Sequence, residues 1–240
     1  MRFGYMSGWR GDLLSEFAFA KRHFDFTEVT IVPDALAAVE RTLPELVAAL
    51  DGFPTLGHLH WDFVGFDDIE RNIRILERLG AGLITMHPFE NVGVPENIDI
   101  MERVSDCCRG RGIRLMIENV SNEPYATMEG MAPLPSGISN VGLTFDVGHA
   151  NKIGELGNFL DRFGDRVGHV HLHDNVGKRD HLFFSDRNRL KANLEKLRGI
   201  GYDGTVTLET FADMKDGRSV SLGFDEIKSF HPVQVEMLRK

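Results

Sequence analysis

Short runs with apolar residues at every second position recur along the chain, and segments with helical periodicity separate them. Alternation of apolar and polar residues is typical of a β-strand, whereas spacings of three and four are typical of an amphipathic helix. Ile69, Ile73 and Leu76 follow the helical spacing within residues 67–79, and residues 96–109 show the same spacing. The pattern predicts strands at residues 2–6, 26–32, 55–60, 82–87, 113–118, 141–146, 167–173 and 204–209.

Predicted strands and helices alternate from one end of the chain to the other. Such an alternation favours parallel strands that are joined by helical crossovers. Eight strands within 240 residues favour a closed (β/α)8 barrel, because an open doubly wound sheet would need a glycine-rich turn after its first strand. Residues 5–12, YMSGWRGD, match that turn only weakly. The sequence therefore predicts an α/β fold in which residues 1–240 form a single TIM barrel domain.

The composition of the chain argues against several classes of protein. The formal net charge is −9 at pH 7, which weighs against nucleic-acid binding because such binding needs a basic surface. No apolar run of the sequence approaches the ~20 residues that a membrane-spanning helix needs, and the first residues lack a signal peptide's apolar stretch. Cys107 and Cys108 are adjacent and poorly suited to a structural disulfide. We therefore expect a cytoplasmic protein with no membrane partner.

Polar side chains occupy one face of several predicted strands. In residues 166–175, RVGHVHLHDN, three histidines alternate with Val170 and Leu172. Because successive side chains of a strand point to opposite faces, the apolar residues would pack against helices and the polar ones would point into the barrel. Enzymes of this fold carry their active sites at the C-terminal end of the barrel. At that end, the inward positions of six strands are His60, His87, Glu118, Asp146, His171 and Glu209.

Convergence of these imidazoles and carboxylates favours a cation site. Alone, an inward histidine or glutamate is more often a hydrogen-bonded structural residue than a ligand. Six such residues at one end change this balance, because buried carboxylates that face each other need a positive charge among them. A divalent cation is the simplest compensation. His58 and His169 lie two residues deeper and are interpreted as structural, and His231 is interpreted as a surface residue.

Six segments at the ends of the predicted strands carry a pattern of metal-ligand type. They are GHLHWDF (57–63), TMHPF (85–89), LMIEN (115–119), FDVGHAN (145–151), GHVHLHDN (168–175) and LETF (208–211). In this pattern the chain resembles the xylose isomerase-like barrel superfamily, which contains sugar isomerases, ketose 3-epimerases, inosose dehydratases and endonuclease IV-type enzymes. The pattern is typical of the superfamily and does not single out one of its activities.

The resemblance implies two sets of metal ligands. Members with a single metal ion imply as its ligands Glu118, Asp146, His171 and Glu209. Endonuclease IV-type members bind several zinc ions, and their further ligand positions match His60, His87, His149 and His181, which would be additional metal ligands or substrate contacts. One position departs from that second set, since Arg179 stands where a carboxylate is expected two residues before His181. This departure weighs against a complete multi-metal cluster.

The resemblance implies a metal-dependent isomerase or epimerase that acts on a small carbohydrate, a sugar, sugar phosphate or polyol. Proton transfer beside a carbonyl needs one group that removes the proton and another that returns it. The resemblance assigns these roles to Glu118 and Glu209. Mixed carboxylate and imidazole ligands suit Mn or Zn, with Mg or Co as alternatives. The candidate substrate-binding residues are Glu28, Asn119, Lys178 and Arg179.

Two other functions stay open at this stage. One is an endonuclease IV-like phosphodiesterase that acts on abasic DNA with clustered metal ions, which the additional histidines favour and the acidic charge opposes. The other is a non-catalytic barrel that binds a sugar or a metal ion. Metal stoichiometry and binding to abasic duplex DNA would separate these alternatives from the isomerase.

Two long connections are expected near the C-terminal end of the barrel. Residues 119–140 are punctuated by proline and glycine and form either a lid over the substrate or a packed surface loop. Residues 174–189 are interpreted as a second loop. An exposed Phe183–Phe184 pair in it would cover the substrate or form a contact in a homo-oligomer. The sequence leaves the oligomeric state open.

Overall fold

Within the described residues, eight parallel strands close into a barrel in the computed structural model. The structure describes residues 1–9, 11–63, 65–89, 91–139, 141–177, 179–215 and 218–239. Around the barrel the strands follow chain order, and the eighth pairs with both the seventh and the first. They are β1 (Arg2–Ser7), β2 (Phe26–Ile31), β3 (Thr55–Leu59), β4 (Ala81–Met86), β5 (Arg114–Glu118), β6 (Val141–Asp146), β7 (Val167–Leu172) and β10 (Thr205–Leu208).

A second, smaller sheet follows the barrel strands at their C-terminal end. It has four strands in the described part of the chain, ordered β12-β11-β9-β8, and β9 pairs with β11 in parallel. The strands are β8 (Asp174–Val176), β9 (Arg179–Leu182), β11 (Ala212–Lys215) and β12 (Arg218–Ser221). The prediction that residues 174–189 form a loop is therefore wrong for its first half, which contains β8 and β9.

Helices connect the barrel strands, and their apolar faces pack against the outside of the barrel. On the helix between β3 and β4, Ile69, Ile73 and Leu76 share a buried face at helical spacing, as predicted. The helices are α1 (Leu13–His23), α2 (Leu36–Leu50), α3 (Phe66–Arg78), α4 (Val94–Arg109), α5 (Met128–Met131), α6 (Pro133–Gly137), α7 (Val147–Lys152), α8 (Leu156–Phe163), α9 (Arg187–Gly199) and α10 (Phe224–Arg239). The predicted (β/α)8 barrel is confirmed.

Buried polar side chains line much of the barrel interior, and some of them lie next to the site. Val170 and Leu172 of β7 join the apolar core, while His169 beside them hydrogen-bonds to a carboxylate from another strand. Across the interior, Thr85 of β4 and Thr144 of β6 hydrogen-bond through their hydroxyls at 2.8 Å. The inward and outward faces therefore follow the alternation in the sequence.

Three expectations about exposure are wrong. Phe183 and Phe184 are buried, so they offer no exposed apolar pair to a partner or to substrate. Phe183 packs edge-on against the ring of His231, with 4.9 Å between ring centroids. His231 on α10 is itself completely buried, rather than a surface residue. The C-terminal helix therefore closes over these side chains.

The connection after β5 is packed against the barrel. Its Tyr125 is completely buried and donates a hydrogen bond to the carbonyl oxygen of Val92 at 2.9 Å. Met131 and Leu134 are also completely buried. Of the two interpretations of residues 119–140, the packed loop agrees with these contacts.

Among the residues that the structure describes, no helix combines the length and apolar content that a membrane crossing requires. Cys107 and Cys108 are not joined by a disulfide bond.

Candidate active site

A cavity of about 1070 Å³ opens at the C-terminal ends of the barrel strands. Its polar wall consists of side chains that follow different strands: His87 after β4, His149 in α7, His181 in β9 and Glu209 after β10. This is the end of the barrel at which the sequence predicts the active site. The size lies at the upper end of the range for small-molecule sites.

The four predicted metal ligands come together beside this cavity. Glu118, Asp146, His171 and Glu209 each offer a ligand atom within 4.8 Å of the others. Two parallel strands end in the carboxylates of Glu118 and Asp146, and His171 pairs in register with Asp146 on the next strand. The structure therefore gathers in one place the residues that the sequence separates by up to 91 positions (209 − 118). Their role as ligands stays a prediction.

Three atoms of this cluster point at one another without forming hydrogen bonds. His171 Nδ1 lies 3.1 Å from Glu118 Oε1 and 3.0 Å from Glu209 Oε2. All three atoms are buried, and none has a hydrogen-bond partner among the described residues. Buried polar atoms are nearly always paired, so an unpaired group of two carboxylates and an imidazole is unusual. A divalent cation at their common centre would satisfy all three, and the donor set fits such an ion.

The other oxygen of Glu118 is held by two histidines. Glu118 Oε2 accepts hydrogen bonds from His58 Nε2 at 3.1 Å and from His87 Nε2 at 3.0 Å. Burial opposes ionisation of Glu118, but the charges of His171 and His87 keep its pKa well below the usual value. His58, interpreted as structural from the sequence, thus contacts a candidate ligand directly. The carboxylate is fixed in orientation while Oε1 remains directed at the centre of the cluster.

Glu28 lies on the opposite side of His171 from the cluster. Its completely buried carboxylate accepts hydrogen bonds from His171 Nε2 at 3.2 Å, His169 Nε2 at 2.9 Å and Thr207 Oγ1 at 2.6 Å. Because an ionised carboxylate only accepts, Nε2 of His171 carries a proton. A carboxylate behind a histidine is a common support for a metal ligand. Glu28, expected to bind substrate, has no exposed surface and holds His171 from behind, so its contact with substrate stays a prediction.

Asn119 supports Asp146 rather than the cavity. Its amide nitrogen donates to the carbonyl oxygen of Asp146 at 2.9 Å, and its amide oxygen accepts from the Asp146 backbone N–H at 2.8 Å. Asn119 is buried and does not line the cavity, and its expected substrate contact stays a prediction. Asp146 also caps α7, because its Oδ1 accepts from the backbone N–H of His149 at 2.6 Å.

Three histidines form a second cluster next to the first. His149, His173 and His181 offer nitrogen atoms within 4.8 Å of one another. The backbone N–H of His181 lies 2.9 Å from His173 Nδ1, and His173 Nε2–H donates to Asp146 Oδ2 at 3.1 Å. Against the opposing effect of burial, Asp146 raises the pKa of His173 to about 9. Burial and the neighbouring His173 lower the pKa of His181 to about 4. His181 therefore keeps a neutral imidazole at neutral pH.

The remaining predicted residues lie further from the cluster. His60 does not line the main cavity; its ring stacks on Trp61 with centroids 4.1 Å apart, and its Nδ1 accepts from the backbone N–H of Asp62 at 3.2 Å. Arg179 is exposed, with Nη1 3.9 Å from Met214 Sδ, and it does not line the cavity. Lys178 lies outside the described residues.

The family is shown by a comparison of the sequence with models of known protein families. Residues 16–229 match the model described as xylose isomerase-like TIM barrel. The chain belongs to the xylose isomerase-like TIM barrel family. The resemblance found in the strand-end motifs is therefore confirmed.

The chain is similar to other proteins to different degrees. An uncharacterized protein of Methanocaldococcus jannaschii, MJ1311, is 34% identical over 125 residues, covering 47% of this chain and 42% of its own length. D-allulose 3-epimerase from Methylomonas sp. has a similar structure, with a TM-score of 0.72 at 15% identity over 100% of this chain and 97% of its own. Endonuclease IV from Thermus thermophilus has a TM-score of 0.62 at 17% identity, over 100% and 99%. This chain spans less than half the length of MJ1311, and the two structures show the fold alone.

Aromatic side chains that the sequence analysis did not identify form one wall of this xylose isomerase-like site. Trp9 stacks between Trp61 and Phe211, with centroid distances of 5.3 Å and 5.5 Å, and all three line the cavity. Trp9 Nε1 is buried with no hydrogen-bond partner among the described residues. A signal existed in the sequence, because the chain has only two tryptophans and each stands two residues after a barrel strand.

A buried carboxylate holds the loop that carries Trp9. Glu16 on α1 accepts hydrogen bonds from the backbone N–H of Gly8 and from that of Gly11, the latter at 2.9 Å. It also accepts from the hydroxyl of Tyr5 at 3.3 Å. These contacts fix both ends of the short loop, so the indole of Trp9 is held against the cavity.

Proposed function

We propose that this protein is a divalent-metal-dependent isomerase or epimerase of an uncharged carbohydrate. The observation that carries the proposal is the set of three unpaired atoms, from Glu118, His171 and Glu209, that meet beside the cavity. D-allulose 3-epimerase, which has a similar fold, is named for a reaction of this class. The epimerase activity itself comes to this chain only as part of the proposal.

The residues that would hold the cation are Glu118, Asp146, His171 and Glu209. When bound, a divalent cation supplies Lewis-acid polarisation of two neighbouring substrate oxygens. Mn or Zn suits this mixture of carboxylate and imidazole ligands, and Mg or Co is the alternative. Glu28 and Asn119 hold His171 and Asp146 in place from outside the cluster.

Glu209 is the carboxylate through which the chain would move a proton first. Glu209 lines the cavity, whereas Glu118 is completely buried. A carboxylate oxygen of each lies within 3.1 Å of His171 Nδ1. We assign Glu209 the removal of a proton from the carbon beside the substrate carbonyl, and Glu118 its return from the other side. Positioned acids and bases of this kind contribute about 10²–10⁴ in rate.

The charges at the cavity favour a substrate without phosphate. Lys152 is paired with Asp180 at 2.7 Å, so its charge is already neutralised. The guanidinium of Arg103 lies 4.1 Å above the ring of Phe66, which covers one of its faces. Phosphate sites ordinarily present arginine or lysine without a competing carboxylate. A neutral polyol or ketose fits this lining better than a sugar phosphate.

Deuterium exchange tests the reaction class whichever product the reaction forms. The protein, freed of metal by a chelator and then supplied with Mn, Zn, Mg or Co, is incubated in D2O with a panel of ketoses and inososes. We expect deuterium at the carbon beside the carbonyl, observed by NMR, for at least one substrate. Absence of exchange across the whole panel with every metal would contradict the proposal.

Two glutamine variants assign the proton transfers. Glu209→Gln and Glu118→Gln keep a ligand oxygen but lose the base, so we expect exchange to fall by about 10²–10⁴ while part of the bound metal is retained. Metal content is measured on the same samples. Glu129→Gln, an exposed residue, is the matched control and should retain full exchange. Full activity in both active-site variants would refute the assignment.

A metal-dependent phosphodiesterase is the second candidate, and one observation favours it. The cluster of His149, His173 and His181 lies beside the first cluster and could hold a second cation. Against it, Asp180 is engaged by Lys152 at 2.7 Å and is not among the residues of that cluster. Two or more zinc ions per chain, together with nicking of an abasic DNA duplex, would support this candidate over the isomerase.

A further inference from the structure

Lys152 and Asp180 form an ion pair on the wall of the cavity. Lys152 is the last residue of α7, and Asp180 lies on β9 of the small sheet. Nζ of Lys152 donates a hydrogen bond to Asp180 Oδ2 at 2.7 Å, and both residues line the cavity. Their side chains are 19% and 23% exposed. The pair is therefore largely removed from water and still accessible to a bound ligand.

The backbone of β9 brings this pair close to the candidate active-site carboxylates. Successive side chains of a strand ordinarily point to opposite faces, yet Asp180 and His181 both line the cavity. His181 has a left-handed φ of 53°, which departs from the extended conformation of a strand. Its Nδ1 lies 3.9 Å from Glu209 Oε2. Asp180 is thus the direct chain neighbour of a side chain that lies close to the proposed base.

The ion pair keeps unused hydrogen-bonding capacity. An ammonium group has three N–H donors, and the contact with Asp180 uses one of them. Burial opposes ionisation of Asp180, but its hydrogen bond with Lys152 lowers its pKa below the ordinary value, so the carboxylate only accepts hydrogen bonds. Among the described residues, neither Lys152 Nζ nor Asp180 Oδ1 has a further hydrogen-bond partner. Donors and an acceptor therefore lie side by side on the cavity wall.

We propose that Lys152 and Asp180 bind two neighbouring hydroxyl groups of the substrate, on carbons beyond the carbonyl portion that reacts. One hydroxyl would accept from Lys152 Nζ, and the next would donate to Asp180 Oδ1. An uncharged diol suits the pair because the two charges already compensate each other, whereas a phosphate or an amine would compete with one partner. This inference rests on the proposed function for the location of the reacting carbons.

The pairing of Lys152 with Asp180 also sets the size of the expected selectivity. Hydrogen bonds from a hydroxyl group to charged side chains correspond to about 10–100-fold in affinity. A site whose polar groups are left unpaired rejects an analogue without the hydroxyl by about 10⁴–10⁵. Here the two side chains remain bonded to each other when the hydroxyl is missing, so the smaller of these penalties applies.

Deoxy ketoses test the contact. The probes are D-fructose, D-tagatose and D-sorbose, each with its 4-deoxy, 5-deoxy and 6-deoxy derivatives, and calorimetry with the Mn-loaded protein gives the dissociation constants. Within at least one series, we expect two derivatives that lack hydroxyls on neighbouring carbons to bind about 10–100-fold more weakly than the parent ketose. Equal dissociation constants within every series, or no binding of any probe, would overturn the proposal.

The double variant Lys152→Met/Asp180→Asn shows whether the ion pair makes this contact. It removes both charges together, so neither partner is left as an unpaired buried charge. We expect the ratio of dissociation constants between deoxy and parent ketose to fall close to one. Differences in ring form among the free ligands are the same for both proteins and cancel in this comparison. If the double variant weakens every probe equally, the pair has only a structural role and the proposal is overturned.

Lys215→Met is the matched control. Lys215 lies on the same small sheet and also pairs with a carboxylate, that of Glu226 at 2.8 Å. Both of these side chains are nearly half exposed, and neither residue lines the cavity. We expect the control to keep the deoxy-to-parent ratios of the original protein. Ratios that Lys215→Met lowers as far as the double variant does would contradict the assignment to Lys152 and Asp180.

Deuterium exchange on the same samples separates this inference from the proposed function. Exchange into a ketose, without a penalty for any deoxy derivative, would leave the isomerase proposal standing and end the diol proposal. A penalty that the double variant removes, without exchange in any probe, would support the diol site and count against the proposed reaction.

Discussion

At the scale of single residues, Gly148 leaves the space that the ring of His173 occupies. A Cβ atom at position 148 would lie 2.0 Å from Cε1 of His173, which is far inside van der Waals contact. The imidazole is completely buried and is fixed by Asp146 on one side and the backbone of His181 on the other. Position 148 therefore has to be glycine for this ring to reach Asp146. This glycine therefore allows His173 to contact a candidate metal ligand.

Gly148→Ala should disturb Asp146 through this ring. We expect the alanine to displace His173, remove the hydrogen bond to Asp146 and weaken cation binding by about 10–100-fold, because supports of metal ligands have effects of that size. Overpacking should also lower the free energy of unfolding by about 1–3 kcal/mol. Cation titration by calorimetry and thermal unfolding measure the two effects.

The control for this prediction is Gly157→Ala. Gly157 is the second residue of α8, as Gly148 is of α7, and nothing lies within 4 Å of a Cβ placed there. We expect no loss of cation affinity. A His173→Ala background supplies the second check, because without the ring the additional Gly148→Ala change should cost little. An equal cost in both backgrounds would show that the clash is not with His173.

The direction in which a strand side chain points was predictable from the sequence, but its distance from the barrel opening was not. Alternation along β7 correctly indicated that His171 points inward, and the same rule applied to Glu118 and Asp146. It could not show that Glu28 is completely buried behind His171, because parity gives the face of a strand and not the distance from the barrel opening. For the same reason Asn119 was expected at the substrate, whereas its amide pairs with the backbone of a neighbouring strand.

At the scale of elements, α10 closes the barrel wall beside the end of β10. Its His231 is completely buried against Tyr5 and Phe24, with ring centroids 5.3 Å and 5.6 Å away. Nε2 of His231 lies 2.9 Å from the hydroxyl of Thr210, which directly follows Glu209. The helix thus contacts the segment that presents a candidate catalytic carboxylate. A single helical histidine carries no periodic signal, so its burial depended on tertiary packing.

Burial of His231 should make stability depend on pH. Burial lowers its pKa from the ordinary 6.5 to about 4, so between these values the unfolded chain binds a proton that the folded chain does not. Stability from this residue is therefore complete above about pH 6.5 and is lost as the pH falls towards 4. We expect a loss of up to about 3 kcal/mol across this window. Urea unfolding at a series of pH values measures it.

His231→Gln removes the titrating group and keeps a side chain that can hydrogen-bond to Thr210. We expect the variant to be less stable at pH 7 and to lose less stability than the parent protein between pH 6.5 and 4. His23→Gln on α1 is the control, since His23 is only partly buried and should change the pH dependence little. Parallel pH profiles for the parent protein and His231→Gln would contradict the assignment.

The strands of the small sheet could not be predicted from the pattern of apolar and polar residues. Its strands have three or four described residues each, too few for alternation to be recognised. Within it, His181 adopts a left-handed conformation with φ of 53° and directs its backbone N–H at His173. Seven of the eight barrel strands are longer, with five or six residues each, and helices separate the barrel strands along the chain. Their positions were therefore predictable, whereas the sheet that shapes one side of the site was not.

At the scale of the whole molecule, the barrel converts eight local patterns into one site. Strands from around the barrel place polar residues at the same end, and closure of the sheet brings them within contact distance. The family and the fold could be predicted because both depend on this repeated pattern. The apolar part of the cavity lining could not, since its side chains come from helices and connections whose approach depends on packing.

Closure of the barrel also brings charged side chains close together, so binding of a cation should change the stability of the entire fold. Three carboxylates and His171 lie within 4.8 Å of one another, so a bound cation would remove repulsion that the folded chain otherwise carries. Binding to the folded state alone stabilises by about 2.7 kcal/mol at a hundredfold excess over the dissociation constant. For a chain of this length, that corresponds to a rise in Tm of roughly 5–10 °C.

Calorimetric unfolding of the chelator-treated protein, with and without Mn, Zn, Mg or Co, measures this rise. We expect at least one of these ions to produce it, because hydrogen bonds with His58, His173 and Glu28 hold the side chains of Glu118, Asp146 and His171 before any ion binds. Asp146→Asn should abolish most of the rise, since it removes one charge from the cluster. Glu129→Gln, on the surface, should retain it. If no ion raises Tm, or if Asp146→Asn responds as strongly as the parent protein, these residues do not form a cation site.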